Sequence, residues 1–505
     1  MSAFLPSSSL GLPASLDFKL PPSLSDDSKA YWVNIAPDAT TSVSSGPLTL
    51  TNIALNTPQP NTFNSQLLTF TIPSGTSRDV FLDPRETFLS FRMAYTITTA
   101  GVGGTDVTNN LIGSAQSFFD SLVLYSNNTP IEQINGYNIL ANQLLNSTVN
   151  TAEKYGGCAV GMGCDTNSMA GVDLPIITAA NLSPVYYNFS IPLISVIGLN
   201  NRDHLFPVGS ISNLQLQLMT SANLPFAFNA KTAVMTTAQV GSVTLDQFSL
   251  NMKYVSIGQA SASLLYSTLP DGKYFLKTQT WVQSAANIPT GSAGQANLLY
   301  QIRNSSVKSL IFQNSAAAAG AALQVCPNGL YDALNIGVNQ FSVGIGGLNF
   351  PQTPLNPSQR PGQCFLQYMS ALGYAGDMKK YGGVMTRSNY GASITNTSVA
   401  TIAGNTNDSM LVIPATGSRP TSGIDTTPIV ITQFPNMHYL GVDLEKSGGL
   451  LFNGVSTRSS PPVGNYFMQF TAGNALPFNI TSFCFALVDC VLIVDPMSQT
   501  IQAFV

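Results

Sequence analysis

Charge is what this chain has least of. Only 9% of its 505 residues are Asp, Glu, Lys or Arg, against about a quarter in an average soluble protein. The 20 Lys and Arg residues are scattered and form no basic run. The clustered patch that binds nucleic acid by releasing counterions is therefore missing. No apolar segment is long enough to cross a bilayer, and Asp489 interrupts one of the longest candidates, FCFALVDCVLIV. The opening MSAFLPSSSLGLPASLDFKLPP has neither a basic stretch nor a continuous apolar core, so it does not read as an export signal. Without one, the six cysteines are expected to be reduced thiols. Two histidines, His204 and His438, are too few for a His-rich metal site. Helical periodicity is brief and no βαβα rhythm exists, which argues against a doubly wound α/β enzyme.

What is present is apolar and amide-rich. Hydrophobic residues make up 44% of the chain, net charge is −4, and 41 Gly and 31 Pro point to many turns. Asn, Gln, Ser and Thr cover the polar surface, and a surface so weakly charged suits a protein that packs against neighbours. Strand alternation dominates. In FLSFRMAYTI, Leu89, Phe91, Met93, Tyr95 and Ile97 alternate with Ser90, Arg92, Ala94 and Thr96. NLQLQL (Leu214, Leu216, Leu218) and FSLNMKY (Phe248, Leu250, Met252, Tyr254) repeat the pattern. Each predicts a strand with one buried and one polar face. Helices are predicted at YNILANQLLN (137–146) and CFLQYMSAL (364–372).

The chain also resembles itself in order. FDSLVLYSNNTPIEQ followed by the first helix corresponds to FSVGIGGLNFPQTPL followed by the second, with Asn128 and Pro130 placed against Asn349 and Pro351. Pro207-Val208-Gly209 and Leu224-Pro225-Phe226 correspond to Pro462-Val463-Gly464 and Leu476-Pro477-Phe478. Each half closes on a long strand, QFSLNMKYVSI (247–257) or FALVDCVLIVD (485–495). The reading is an all-β protein of two tandem eight-stranded antiparallel jelly rolls, with short helices and long loops. The expected boundaries are an N-terminal arm over 1–47, a first jelly roll over 48–258, a linker over 259–272 and a second jelly roll with its tail over 273–505.

Motifs that could carry chemistry are few. VGIGGLNFPQTPL (343–355) begins like a dinucleotide loop, but the third glycine position is Asn349, and Pro351, Pro354 and Pro357 forbid the helix such a loop requires. Gly346-Gly347 instead supplies a hairpin turn. DVFLDPRETF gathers Asp79, Asp83, Arg85 and Glu86. It is read as a charged turn at a strand start with Arg85 paired to a neighbouring carboxylate, in preference to a glycosidase acid pair. Arg202-Asp203 sits in a similar turn and reads as either an inter-subunit or an intra-loop pair. His204 and His438 are read as polar loop residues; no G-x-S-x-G elbow accompanies them. Cys158 and Cys164 form a C-x5-C without a second pair, a poor zinc site, while Cys484 and Cys490 read as core. Sequons occur at Asn127, Asn146, Asn181, Asn188, Asn304, Asn396, Asn407 and Asn479, and no standard N-glycan is expected on them. No catalytic, cofactor-binding or metal-ligating residue is assigned, and an enzyme is not expected.

The layout, together with the blocks FFDSLVLYSNNTPIEQINGYNILANQLLN (118–146), IGGLNFPQTPL (345–355) and NITSFCFALVDCVLIVDP (479–496), resembles the double jelly-roll major capsid proteins. That lineage is shared by adenoviruses, tailless membrane-containing phages, virophages, polinton-like viruses and large eukaryotic DNA viruses. The resemblance covers about residues 48–500 and is most like the virophage and polinton-like members. It implies a homotrimeric, pseudo-hexagonal, hexon-like capsomer that tiles an icosahedral virion shell. It further implies outer towers built from long loops such as 147–185 and 373–430. Partners would be other copies of the chain, penton and minor capsid proteins or an inner membrane, with no sequence-specific nucleic-acid contact. A carbohydrate-binding or adhesive β-sandwich, spike-like or lectin-like, is the alternative reading.

Overall fold

The structure is a computed structural model of the 505-residue chain. It describes residues 28–38, 48–54, 66–75, 77–99, 107–111, 114–149, 157–163, 173–174, 185–201, 204–221, 226–230, 240–292, 294–316, 333–374, 385, 390, 399–400, 410–411, 437–446, 452–468, 476 and 479–504. The first unit contains β1 (Lys29–Ile35), β2 (Leu67–Ile72), β3 (Val80–Thr99), β4 (Phe119–Ser126) and β5 (Thr129–Asn135). Helix α1 (Tyr137–Thr148) follows, then β6 (Val185–Pro192), β7 (Leu214–Thr220) and β8 (Val240–Ser256). A short helix, α2 (Gln259–Thr268), leads to the second unit. There β9 (Tyr274–Ile288), β10 (Gly294–Leu299), β11 (Val307–Ala316), β12 (Val338–Ile345) and β13 (Leu348–Leu355) precede α3 (Pro361–Ala371). Then come β14 (Tyr439–Asp443), β15 (Val463–Met468), β16 (Ile480–Asp495) and β17 (Thr500–Phe504).

The strand order repeats. The first unit has one sheet ordered β1-β8-β3-β6, to which Leu48–Ala54 adds on β8, and another ordered β2-β7-β4-β5. The second has β9-β16-β11-β14, with β17 on β16, and β10-β15-β12-β13. Counting from the first strand of each unit, the two orders are identical, and every pairing between these strands is antiparallel. Each unit is thus a jelly roll, and in each a helix follows the fifth strand.

Alternation explains the cores. Leu89, Phe91 and Met93 of β3 are buried, as are Leu214, Leu216 and Leu218 of β7 and Leu250, Met252 and Tyr254 of β8. Phe91 is a hub: its ring lies 5.6 Å from Phe119, 6.0 Å from Phe118 and 5.5 Å from Phe248, centroid to centroid. In the second core Phe341 lies 5.1 Å from Phe312 and 4.9 Å from Tyr466. Such aromatic pairs add about 0.5–1.5 kcal/mol each beyond the area they bury.

Three expectations need correction. Residues 29–35, assigned to the arm, form the edge strand β1, paired with β8 from Lys29↔Ser256 to Ile35↔Leu250. Only Ile35 is buried and Val33 half-buried, while Tyr31 and Trp32 are exposed, so the strand carries no clean alternation. DVFLDPRETF is not a turn before a strand but a bulge inside β3. The register against β8 jumps from Lys253↔Asp83 to Asn251↔Phe88, and Pro84, lacking an N–H, cannot join the ladder. The repeat is also offset differently from its sequence match. Asn127-Asn128, with φ of +48° and +60°, form the β4–β5 turn; Gly346-Gly347, with φ of +59° and +83°, form the β12–β13 turn. Pro130 therefore corresponds to Asn349, not Pro351. Likewise Pro207-Val208-Gly209 lies in a 3-10 turn ahead of β7, whereas Val463 and Gly464 begin β15. Leu224, Pro225, Pro477 and Phe478 lie outside the described residues, as does most of the expected tower segments, both of which connect a fifth to a sixth strand.

An added Cβ at Gly347 would meet nothing within 4 Å, so any penalty there is one of backbone conformation. Gly347→Val is expected to lower the unfolding free energy by about 1–2 kcal/mol, and Gly347→Asn by clearly less. Equal stability of the two variants by chemical denaturation would show that the turn is not left-handed at this position.

Candidate functional site: the seam between the units and the open sheet faces

The two jelly rolls share a buried seam. Strand β16 is buried along nearly its whole length. Cys484, Ala486 and Val488 point into the second core, while Phe483, Phe485 and Leu487 belong to the apolar cluster that also contains the first core. Trp281 of β9, Ile311 of β11 and Tyr439 of β14 join that cluster from the same sheet face. The first unit meets this face through the end of β5 and through α1. Gly136 lies so close that a Cβ there would sit 3.1 Å from Gln283 and 3.4 Å from Phe485. Beyond it, Ser147 and Tyr368 share a hydroxyl hydrogen bond of 2.6 Å, and Asn146 donates to the Tyr439 hydroxyl at 3.3 Å. Burying a large apolar side chain is worth about 1.5–3 kcal/mol, so a seam holding several holds the units as one body.

Some polar groups are hydrogen-bonded in and across the seam. Glu132 of β5 is 3% exposed. Its Oε2 accepts from Ser195 Oγ at 2.5 Å and from the Val196 amide at 2.8 Å; its Oε1 accepts from Asn200 Nδ2 at 3.2 Å and Thr280 Oγ1 at 2.7 Å. Burial raises its pKa, and the four neutral donors pull against that rise without cancelling it. Thr278 Oγ1 donates to the Asn200 carbonyl at 2.9 Å, and the Ser212 amide donates to the Gln499 carbonyl at 3.0 Å. Below the second core, Lys308 Nζ lies 2.7 Å from Glu445 Oε1 and 3.6 Å from Asp489 Oδ1. Asp489 Oδ2 also accepts from Ser306 Oγ at 2.6 Å and the Phe452 amide at 3.0 Å. Burial pushes the Asp489 carboxyl up, and Lys308 opposes it.

The residues singled out in the sequence serve structure. Asp79 accepts from Ser256 Oγ at 2.6 Å and from Ser77 Oγ, tying the start of β3 to the end of β8. Burial works to raise its pKa, but these hydroxyls and nearby backbone donors prevail and hold it below the ordinary carboxylate value. A glycosidase general acid needs the opposite shift. Arg85 pairs with Asp83 through Nε and Nη2, both at 3.0 Å; Glu86 is half-exposed nearby. His438, expected in a polar loop, is 1% exposed. Its amide bonds the Ala333 carbonyl at 3.0 Å, its ring lies 5.3 Å from Tyr390, and burial lowers its pKa to about 4. His204 is likewise buried, in the first unit. Cys158, Cys364, Cys484 and Cys490 are buried, with Cys364 pushed up to about 12 by burial. Among the described residues no three His, Cys, Asp or Glu side chains are grouped to hold a metal, and no helix is long and apolar enough to cross a membrane. Sequon residues Asn146 and Asn304 are buried; Asn127, Asn188 and Asn479 are exposed. Arg202, Asp203, Cys164, Asn181, Asn396 and Asn407 lie outside the described residues.

Glu132 and Lys308 gave no signal in the sequence, because their partners lie far along the chain. Asp489 did, as a lone charge in an apolar strand.

The four-stranded sheets turn their outer faces to solvent without charge. In the first unit the rows are Gln217–Val123–Gln133, with Thr69 buried at the end, and Leu67–Met219–Ser121–Asn135. In the second they are Gln295–Phe467–Gln340 and Asn297–Asn465, with Ser342 buried at the end, beside Leu299 and Val463. Met219, Leu299 and Phe467 are 38%, 49% and 45% exposed, amid amides and hydroxyls. Faces of this kind can bury area against another protein without desolvating ions.

Strand order, shared seam and paired helices define a double jelly roll. No family model matches the chain, and no curated protein matches it in sequence. Among solved structures, a chain of the Sputnik virophage determined by cryo-EM is similar with a TM-score of 0.54 at 11% identity, covering 94% of this chain and 88% of that one. The crystal structure of the mavirus major capsid protein gives a TM-score of 0.46 at 11% identity, with 98% and 92% covered. The Faustovirus major capsid protein gives 0.43 at 8% identity, with 96% and 92% covered. The likeness to the Sputnik chain extends over nearly the whole of both chains and bears out the double jelly-roll fold.

Two outcomes test the buried groups. Lys308→Met leaves Asp489 and Glu445 without their cation and is expected to cost about 3–5 kcal/mol; adding Asp489→Leu should recover part of that loss in thermal unfolding. For Asp79, a pKa below its unfolded value means stability that is present above the ordinary carboxylate value of 3.8 and lost as pH falls through the folded pKa. Asp79→Asn should therefore be less stable than wild type at neutral pH, with the gap closing in strong acid. A gap constant across that range would remove Asp79 from the acid response.

Proposed function

We propose that the chain is the major capsid protein of an icosahedral DNA virus, built as a homotrimer with six jelly rolls in a pseudo-hexagonal capsomer. The observation that carries the reading is the fusion of two identically ordered jelly rolls into one block whose four-stranded sheets present broad outer faces without charge. The Sputnik virophage chain of similar fold supports it. Function here is assembly. Amide and apolar surfaces give many weak contacts that sum over a large area. A closed symmetric contact makes the trimer finite, and weaker contacts between trimers extend the lattice. The location is then the virion. Penton and minor capsid proteins, or an inner membrane, would meet the ends of the barrels and the segment before β1. Scattered Lys and Arg leave the genome to other components.

The purified protein is expected to run in native mass spectrometry at three times the chain mass, and to show particles of hexagonal outline by electron microscopy. A protein that stays monomeric at micromolar concentration would sink the reading. Saturable binding on a glycan array by such a monomer would favour the adhesive alternative.

A further inference from the structure

Below the second core, Lys308 and Asp489 meet with a second carboxylate beside them. Lys308 lies where β11 and β16 fall out of step. The register runs from Val307↔Val488 to Ser309↔Leu487, so Lys308 has no partner in β16. A bulge of this kind re-aims a side chain. The Lys308 side chain is 2% exposed and that of Asp489 fully buried. Lys308 Nζ stands 3.6 Å from Asp489 Oδ1, an oxygen that accepts no hydrogen bond among the described residues. The other oxygen, Oδ2, accepts from Ser306 Oγ at 2.6 Å and from the Phe452 amide at 3.0 Å. Ser306 Oγ itself accepts from the Gly454 amide at 3.1 Å, which leaves its proton for Asp489. Glu445, 26% exposed, sets Oε1 2.7 Å from the same Nζ. Nearby Asp443 is engaged elsewhere, accepting from Ser370 Oγ and from the Glu445 amide.

We propose that Lys308 and Asp489 condense into an isopeptide bond, with Glu445 carrying the protons. Nζ attacks Cγ of Asp489, one bond behind Oδ1. The N–Cγ bond forms and the Cγ–Oδ1 bond breaks. In the tetrahedral intermediate the charge gathers on Oδ2, where the Ser306 hydroxyl and the Phe452 amide already point. Donors preorganised on a developing oxyanion speed acyl transfer. The two protons that leave nitrogen pass through Glu445 to Oδ1, which departs as water. Glu445 ends in the ionisation state in which it began. Ammonium and carboxylate become a neutral amide and water, so no cofactor or further reactant is needed. The fold favours this step in three ways. It holds amine and carboxyl together, which replaces a bimolecular encounter. It penalises two buried ions that the amide removes. Burial also pushes the Asp489 carboxyl up, toward the protonated form that an amine can attack. The bond ties β11 to β16 and closes a covalent loop that contains α3 and β14. It lies within one chain, so it stands or falls apart from the capsomer reading.

The test holds the purified full-length chain folded at neutral pH, then denatures it and weighs it by intact mass spectrometry. Wild type is expected to be lighter than its sequence requires by one water. Proteolysis should release a branched peptide joining the segments around Lys308 and Asp489. Lys308→Arg keeps the cation but removes the amine nucleophile, and Glu445→Gln keeps the size of the proton carrier but not its basicity. Both variants, with circular dichroism confirming the fold, should keep the full sequence mass and yield only linear peptides. Wild type at full mass after prolonged incubation overturns the inference. A lost water without a branched peptide, as a succinimide at Asp271-Gly272 would give, overturns it as well. A Glu445→Gln chain that forms the bond as fast as wild type overturns the role of Glu445.

Discussion

Strand β16 has almost no exposed side, and the rest of the molecule is arranged around that fact. A strand buried on both faces must be apolar at even and odd positions alike, which is what Phe483 to Leu487 provide. One face closes the second core and the other lies against the first unit. The two jelly rolls therefore differ from beads on a tether. Inter-domain contacts within a chain are usually polar and permit relative motion, whereas removing the first unit here would bare Trp281, Phe485 and Tyr439 together. The one buried charge that β16 carries, Asp489, is tolerated because Lys308 is buried beside it.

Polar groups then fix how the units meet. Apolar surfaces tolerate sliding, but a buried carboxylate with four donors does not. Glu132 takes three of its donors from the 195–200 segment of its own unit and the fourth from Thr280 across the seam. Ser147 with Tyr368 and Asn146 with Tyr439 fix the helices in the same way. A block with set geometry is what repeated assembly requires, since an angular error in each copy accumulates around a ring.

Much of this was legible in the sequence, for physical reasons. NLQLQL and FSLNMKY announced half-buried strands, and the two helices appeared where their periodicity placed them. The duplicated hairpin was visible too, although its residue match was off by two. Asn-Asn and Gly-Gly both supply positive φ, so equivalent turns need not share letters. Strand β1 was missed because an edge strand with Tyr31 and Trp32 in solvent lacks alternation. His438 was misread because PNMHYL looks like a polar loop, yet its backbone pairs with Ala333, about a hundred residues away. Glu132 carried no local mark, since its donors come from two distant segments, 195–200 and Thr280. The open sheet faces read in composition as low charge, but their position required the fold.

The placement of β16 near residue 490 also bears on how the protein is made. The ribosome emits the first unit, with Glu132 and Tyr137 in place, more than two hundred residues before β16 emerges. At about 5–20 residues per second, that interval is on the order of tens of seconds. Throughout it the first jelly roll can close its own core but not its seam, and Glu132 lacks Thr280 until β9 has followed. The nascent chain therefore passes through a long-lived stage with an apolar flank exposed. Folding in the cell becomes a matter of shielding that flank until the last long strand is delivered.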